Sequence, residues 1–191
     1  IVFIQNNKII ILTHRVKLFC AFFIMSKVLG LDISSTTVGW AIIDADKSGY
    51  TLVEHGHIRP PNSTKGSLTF RASKYYDDLL VFLKDKNPDF VAIEAYANKF
   101  PRGKSTARTI IVLSFFNELS SLGCLKTLGF EPNKYAVTTI RASLSRLFNS
   151  KIVSKDDTFE IIKNNVKGFS VKKNRVGKIS KQSYDNLWQM Y

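Results

Sequence analysis

From residue 27 onward, short apolar runs and longer amphipathic stretches succeed one another, and their periods differ. Lys27 to Ile33 places Val28-Leu29-Gly30-Leu31 between polar neighbours, with the length and apolarity of a buried strand. Thr37 to Ile43 is a second such run, and the polar Ser34-Ser35-Thr36 between them predicts a tight turn and a hairpin. Tyr50 to Arg59 alternates as a third strand until Pro60-Pro61-Asn62-Ser63 breaks it. Leu68, Ala72, Tyr75, Tyr76, Leu79, Leu80 and Leu83 recur at helical spacing, predicting a helix over 68–86 that Asn87-Pro88 stops. Phe90 to Glu94 predicts a fourth strand, Thr106 to Leu122 a second helix closed by Gly123, and Tyr135 to Val137 a short fifth strand. Arg141 to Phe148 and Lys155 to Val166 predict helices, the last opened by Ser154 and Asp156-Asp157. A hairpin meander followed by β–α units predicts an α/β protein with a mixed five-stranded sheet flanked by helices.

The first 24 residues do not share this pattern. They carry Lys8, Arg15 and Lys17 but no acid, and they end in an apolar run from Leu18 to Met25. No small-residue cleavage site follows that run, and it is far shorter than the ~20 residues of a membrane span. An organelle-targeting presequence would also be basic and acid-poor. The reading preferred here is translated upstream sequence, with the first methionine, Met25, opening a single domain over 25–191. An apolar content of 45% over 191 residues suffices for one core. The net charge is +13, little of it from the leader, so a polyanionic partner such as nucleic acid is expected. The two cysteines, Cys20 and Cys124, form no CxxC pair, and His14, His55 and His57 give no zinc spacing with them. A reduced setting follows, so the cytoplasm, or a host cell for a viral protein, is the expected location.

Two acids stand out against the apolar pattern. Asp32 closes the first predicted strand and Glu94 the fourth. Taken singly, they read as a turn aspartate and a solvated strand end. If the two strands run parallel and adjacent, both carboxylates project from one end of the sheet. Such a pair is an oxygen-rich site for Mg²⁺ or Mn²⁺, metals that activate water and stabilise a leaving oxygen in phosphodiester hydrolysis. The loop after Glu94 mixes Lys99, Arg102 and Lys104 with the aromatics Tyr96 and Phe100, a composition suited to phosphates and unpaired bases. Thr138 and Arg141 follow the fifth strand where a helix opens, as phosphate contacts or as a plain helix start. Lys172, Lys173 and Arg175 belong to an acid-free basic segment that leads to Asp185, either a solvated face or a guide for a DNA backbone. The helix over 106–122 is apolar on more than one side, which fits sheet packing alone or a two-fold homodimer.

The run Leu29-Gly30-Leu31-Asp32-Ile33-Ser34-Ser35-Thr36-Thr37-Val38-Gly39-Trp40-Ala41-Ile42 resembles the first motif of the RuvC family of Holliday-junction resolvases. Ile93-Glu94 resembles that family's second motif, and element order agrees from Met25 onward. The resemblance implies an RNase H-like fold and a homodimer that cuts four-way or other branched DNA. It implies in-line attack by water that leaves a 5′-phosphate and a 3′-hydroxyl, with two divalent ions per site. Asp32, Glu94 and Asp185 would be catalytic metal ligands, and Tyr96 or Phe100 would open the junction.

The family usually completes its site with a second acid after the one matched by Asp185, whereas this chain reads Asn186-Leu187-Trp188-Gln189-Met190-Tyr191. The codons TGG-CAR-ATG-TAY, read two bases later, give Ala, then Asp or Asn, then Val. A frameshift hiding the last acid is therefore expected; a truncated branched-DNA-binding protein that does not cut is the alternative. A related RNA-processing nuclease also fits Asp32. An actin-like kinase or ATPase would need a second phosphate loop, which the sequence lacks.

Overall fold

The structure is a computed structural model that describes residues 2–5, 8–11, 26–47, 49–96 and 107–169. Strands β1 (Val2–Gln5) and β2 (Lys8–Ile11) form an antiparallel hairpin. The main elements follow: β3 (Ser26–Asp32), β4 (Val38–Asp46), β5 (Gly49–Ile58), α1 (Leu68–Lys86), β6 (Phe90–Glu94), α2 (Ala107–Leu128), β7 (Asn133–Tyr135), α3 (Val137–Leu147) and α4 (Lys155–Asn165). The five strands from β3 to β7 form one mixed sheet in the order β5-β4-β3-β6-β7. β3, β4 and β5 are the antiparallel meander, and β3, β6 and β7 run parallel.

Helices cover both faces. Successive strand residues point to opposite sides, so each strand divides its side chains between two cores. Leu29, Leu31, Val38, Ile42, Val91 and Ile93 meet Ala72, Tyr75, Leu79 and Leu83 of α1 and Phe116 and Cys124 of α2. Ala41, Ile43 and Ala92 meet Ile140 and Leu144 of α3 and Ile162 of α4 on the other side. After α4 the chain returns to the sheet, where Lys167 pairs with the β5 backbone through its N–H to Tyr50 O and its carbonyl from Leu52 N.

α1 matches its predicted bounds. Ser67 accepts from the Phe70 N–H at the start, and Asn87 ends it in the left-handed conformation before Pro88. α2 departs from expectation, because Gly123 does not close it. That glycine is buried inside a helix running to Leu128, where an added Cβ would lie 2.9 Å from Leu79 Cδ2. Close approach of α1 and α2 explains the glycine, which costs about 1 kcal/mol of helix propensity. The helices are joined there by a 2.6 Å bond between the Tyr75 hydroxyl and Ser120 Oγ and by the Tyr75–Phe116 ring contact. Burial also pushes the Cys124 thiol up to about 12, which keeps it protonated. β7 spans Asn133–Tyr135 rather than 135–137, and α3 begins at Val137 rather than Arg141. Burial of Ile140 on α3 draws the β-branched residues before it into the helix.

Phe116 is fully buried between the sheet and α1. Phe116→Ala is expected to cost about 3–5 kcal/mol in denaturant unfolding. At α4, Asp157 closes a capping box: it accepts from Ser154 N at 2.8 Å and Val153 N at 3.0 Å. These bonds, the Ser154 backbone first, hold its carboxyl below the ordinary 3.8. A depressed folded-state value stabilises the fold above the ordinary pKa and loses that effect as pH falls through the folded value. Asp157→Ala should therefore lower the melting temperature at neutral pH, and melting curves of the two proteins should converge in acid below 3.8.

Candidate active site

The parallel pairing of β3 with β6 runs from Val28↔Phe90 to Leu31↔Ile93. Asp32 and Glu94 follow as the next residue on each strand, at the sheet's carboxyl end. Neighbouring strands lie about 4.8 Å apart, so the two residues stand side by side. Leu31 and Ile93 point into the core beneath α1 and α2, so alternation turns Asp32 and Glu94 to the opposite face. Both are half-buried, unlike the buried runs that precede them.

The other ends of the same strands set this register. Lys27 N donates to Asp89 Oδ2 at 2.7 Å, and Asp89 N donates back to Lys27 O at 2.9 Å. The reciprocal pair aligns the two strands where they enter the sheet. A slip of one residue would turn either acid to the wrong face.

Beyond Asp32 the chain turns through Ser34 and Thr36. Their hydroxyls are 3.0 Å apart, and the Thr36 N–H donates to Ser34 Oγ at 3.2 Å. Arg71 of α1 reaches this turn from behind the sheet, donating from Nη2 to Ser35 O and from Nε to Pro61 O at 2.7 Å. At the other strand end, Asn117 Nδ2 of α2 donates to the main-chain oxygen of Glu94 at 2.9 Å. The Ala95 N–H donates to Tyr135 O, tying β7 to the same end.

Of the remaining expected residues, Tyr96 is half-buried two positions past Glu94. Thr138 is exposed in the first turn of α3, which follows β7 at the same end of the sheet. The α3 cap residue, Ala136, offers no side-chain acceptor to that turn. Arg141 lies one turn further on and donates to Val153 O at 3.1 Å, so part of its guanidinium braces the loop before α4. Lys99, Phe100, Arg102, Lys104, Lys172, Lys173, Arg175 and Asp185 lie outside the described residues. Among the described residues, no group of three His, Cys, Asp or Glu side chains gathers to hold a metal. The two adjacent carboxylates offer oxygen donors of the kind a hard divalent cation takes. Neither Asn117 nor Arg71 was expected at this site. The available signal was a polar residue on the apolar face of each helix: Arg71 sits between Leu68 and Tyr75, and Asn117 beside Phe116.

No family model matches the chain. Curated relatives do. It is 34% identical over 92 residues to the crossover junction endodeoxyribonuclease RuvC of Fusobacterium nucleatum, covering 46% of this chain and 47% of that protein. It is 32% identical over 103 residues to RuvC of Campylobacter jejuni, covering 54% of this chain and 59% of that one. The chain thus spans about half the length of these relatives. Among solved structures, Thermus thermophilus RuvC in complex with a Holliday junction substrate superposes with a TM-score of 0.62, at 13% identity over 87% of this chain and 94% of that one. The yeast mitochondrial Holliday junction resolvase Ydc2 superposes with a TM-score of 0.51, at 12% identity over 92% of this chain and 82% of that one. The fold is therefore RNase H-like. In sequence over part of its length, and in the sheet that brings Asp32 beside Glu94, the chain is similar to RuvC proteins.

Proposed function

We propose that the protein is a metal-dependent endonuclease that resolves Holliday junctions or other branched DNA by phosphodiester hydrolysis, leaving a 5′-phosphate and a 3′-hydroxyl. The observation that carries this reading is the placement of Asp32 and Glu94 on one face, side by side, at the carboxyl end of two parallel strands. Their relatives' names and the chain's basic charge point the same way.

Asp32 and Glu94 are the residues that would hold Mg²⁺ or Mn²⁺, with Asp185 the expected third ligand. Two bound ions would supply Lewis-acid chemistry, polarising the phosphodiester and making water a nucleophile near neutral pH. The chain's own task is to bring a phosphate to that place. The first turn of α3 has N–H groups without intrahelical acceptors and carries the exposed Thr138, so it suits a phosphate near the acids. Tyr96, two positions past Glu94, would stack on a base beside the scissile bond. Lys99, Phe100, Arg102 and Lys104 after β6, and Lys172, Lys173 and Arg175 near Asp185, complete the proposed DNA contacts.

A homodimer accounts for the second apolar side of α2. Of the helices described, α2 is the one long and apolar enough to cross a membrane, yet Phe116, Asn117, Ser120, Gly123 and Cys124 are buried in the protein. Ile111, Phe115, Leu122 and Leu125 form an exposed stripe at helical spacing, from 40% to 64% accessible. An isologous contact along this stripe would bury it and relate two sites by a two-fold axis, matching the symmetry of a four-way junction.

With Mg²⁺, the protein should nick a synthetic four-way junction symmetrically on opposing strands. Asp32→Asn or Glu94→Gln should slow cutting by more than about 100-fold, beyond what outer-shell changes typically cause. Junction binding in gel-shift assays should survive both substitutions. Equal cutting of linear duplex would defeat the junction-specific part. In sedimentation, the unaltered protein should run as a dimer and Phe115→Lys as a monomer; an unaltered monomer would defeat the dimer reading.

A further inference from the structure

Two buried polar side chains lie behind the sheet, on the face away from the carboxylates, and each grips the backbone where a carboxylate-bearing strand ends. Asn117 is 1% exposed, on the helix that packs Phe116 and Cys124 into the core with Leu31 and Ile93. Its Nδ2 donates to the Glu94 carbonyl, while its Oδ1 is buried and meets no partner among the described residues. An apolar residue would suit this core better, because a buried amide with half its capacity unused is unfavourable. The bond it does make lands on the residue that carries one of the two acids. Arg71 is 7% exposed and repeats the arrangement on the neighbouring strand, holding Ser35 O in the turn that follows Asp32.

We propose that Asn117 and Arg71 are positioning residues for the metal site, with Asn117 setting the orientation of Glu94 and Arg71 that of the turn after Asp32. The inference rests on the metal-site reading above. β6 ends at Glu94, where the ladder to β3 has stopped at Ile93 and the one to β7 reaches its last pair, and this is the point where the side chain must be aimed. A rotation of the peptide after Glu94 swings its Cα–Cβ direction and the path of Ala95 and Tyr96. The Asn117 amide fixes that peptide from the rigid α2 layer. Arg71 does the same for the strand exit at Asp32, donating from two nitrogens of its fork to two carbonyl oxygens. The carboxylates thus receive their spacing from helices that never face the metal.

The test is calorimetric titration of the full-length protein with Mn²⁺, alongside the Mg²⁺ dependence of junction cutting. Asn117→Leu should weaken Mn²⁺ binding about tenfold, as loss of a supporting partner does. It should raise the Mg²⁺ concentration for half-maximal rate by a similar factor, with the rate at saturating Mg²⁺ largely restored. Ser120→Ala, which removes an equally buried bond one turn along α2, should leave both quantities unchanged. Unaltered Mn²⁺ affinity in folded Asn117→Leu overturns the proposal, and so does equal weakening by Ser120→Ala. Absence of Mn²⁺ binding by the unaltered protein overturns the metal-site reading itself and the positioning role with it. A measurement on the unaltered protein covers the case in which Asn117→Leu fails to fold. The Asn117 side-chain amide resonances should move on titration with Mg²⁺, in step with cation binding. Resonances that stay in place while the site saturates overturn the proposal.

Discussion

Two hydrogen bonds between Lys27 and Asp89 set the alignment on which the candidate site depends. They join residues far apart in sequence, and they act at the end of the sheet away from the carboxylates. A parallel pair has no hairpin turn to fix its register. β3 and β6 are linked instead through β4, β5 and α1, a connection that leaves alignment open. The Asp89 carboxylate settles it by accepting the Lys27 N–H, and the ladder then runs from Val28 to Leu31 without interruption. Asp32 and Glu94 come side by side because the two strands start level and have equal length beyond that point.

The two faces of the sheet do different work. The α1–α2 side carries Leu29, Leu31, Val91 and Ile93 from the central strands, with Tyr75 and Phe116 packed on them. The other side takes the small Ala92 of β6 and Ala41 of the adjoining β4, and the acids follow on that face. Placing the carboxylates at strand ends lets them stay half-buried, so the core loses little to accommodate charge. The helices behind the sheet then contribute polar atoms where the strands stop, through Asn117 and Arg71.

Much of this was legible in the sequence, for local reasons. Helix 68–86 and strand 90–94 have caps, breakers and periodicity that agree, and their bounds match. The strand-ending acids could be found because each interrupts an apolar run. What escaped was set by contacts between distant residues. Gly123 reads as a helix stop until Leu79 is known to lie against it. Val137 reads as the end of a strand, yet packing of Ile140 and Leu144 against the sheet makes it the first residue of a helix. The Lys27–Asp89 pair leaves no local mark, and neither do the carbonyls chosen by Asn117 and Arg71. Asp185 lies outside the described residues, so the acid pair is the part of the site the structure defines.

The tight connection between α1 and β6 has a consequence for how such a protein can change. Asn87 in its left-handed turn, the buried Pro88 and the bonded Asp89 leave no slack between helix and strand. An insertion there would displace the strand that carries Glu94. At the opposite end, the segment between β6 and α2 joins elements already anchored elsewhere, so its length and composition are free of that constraint. The sheet therefore has one end that tolerates no insertion and another where a connecting segment can change in length and composition while the two acids keep their places.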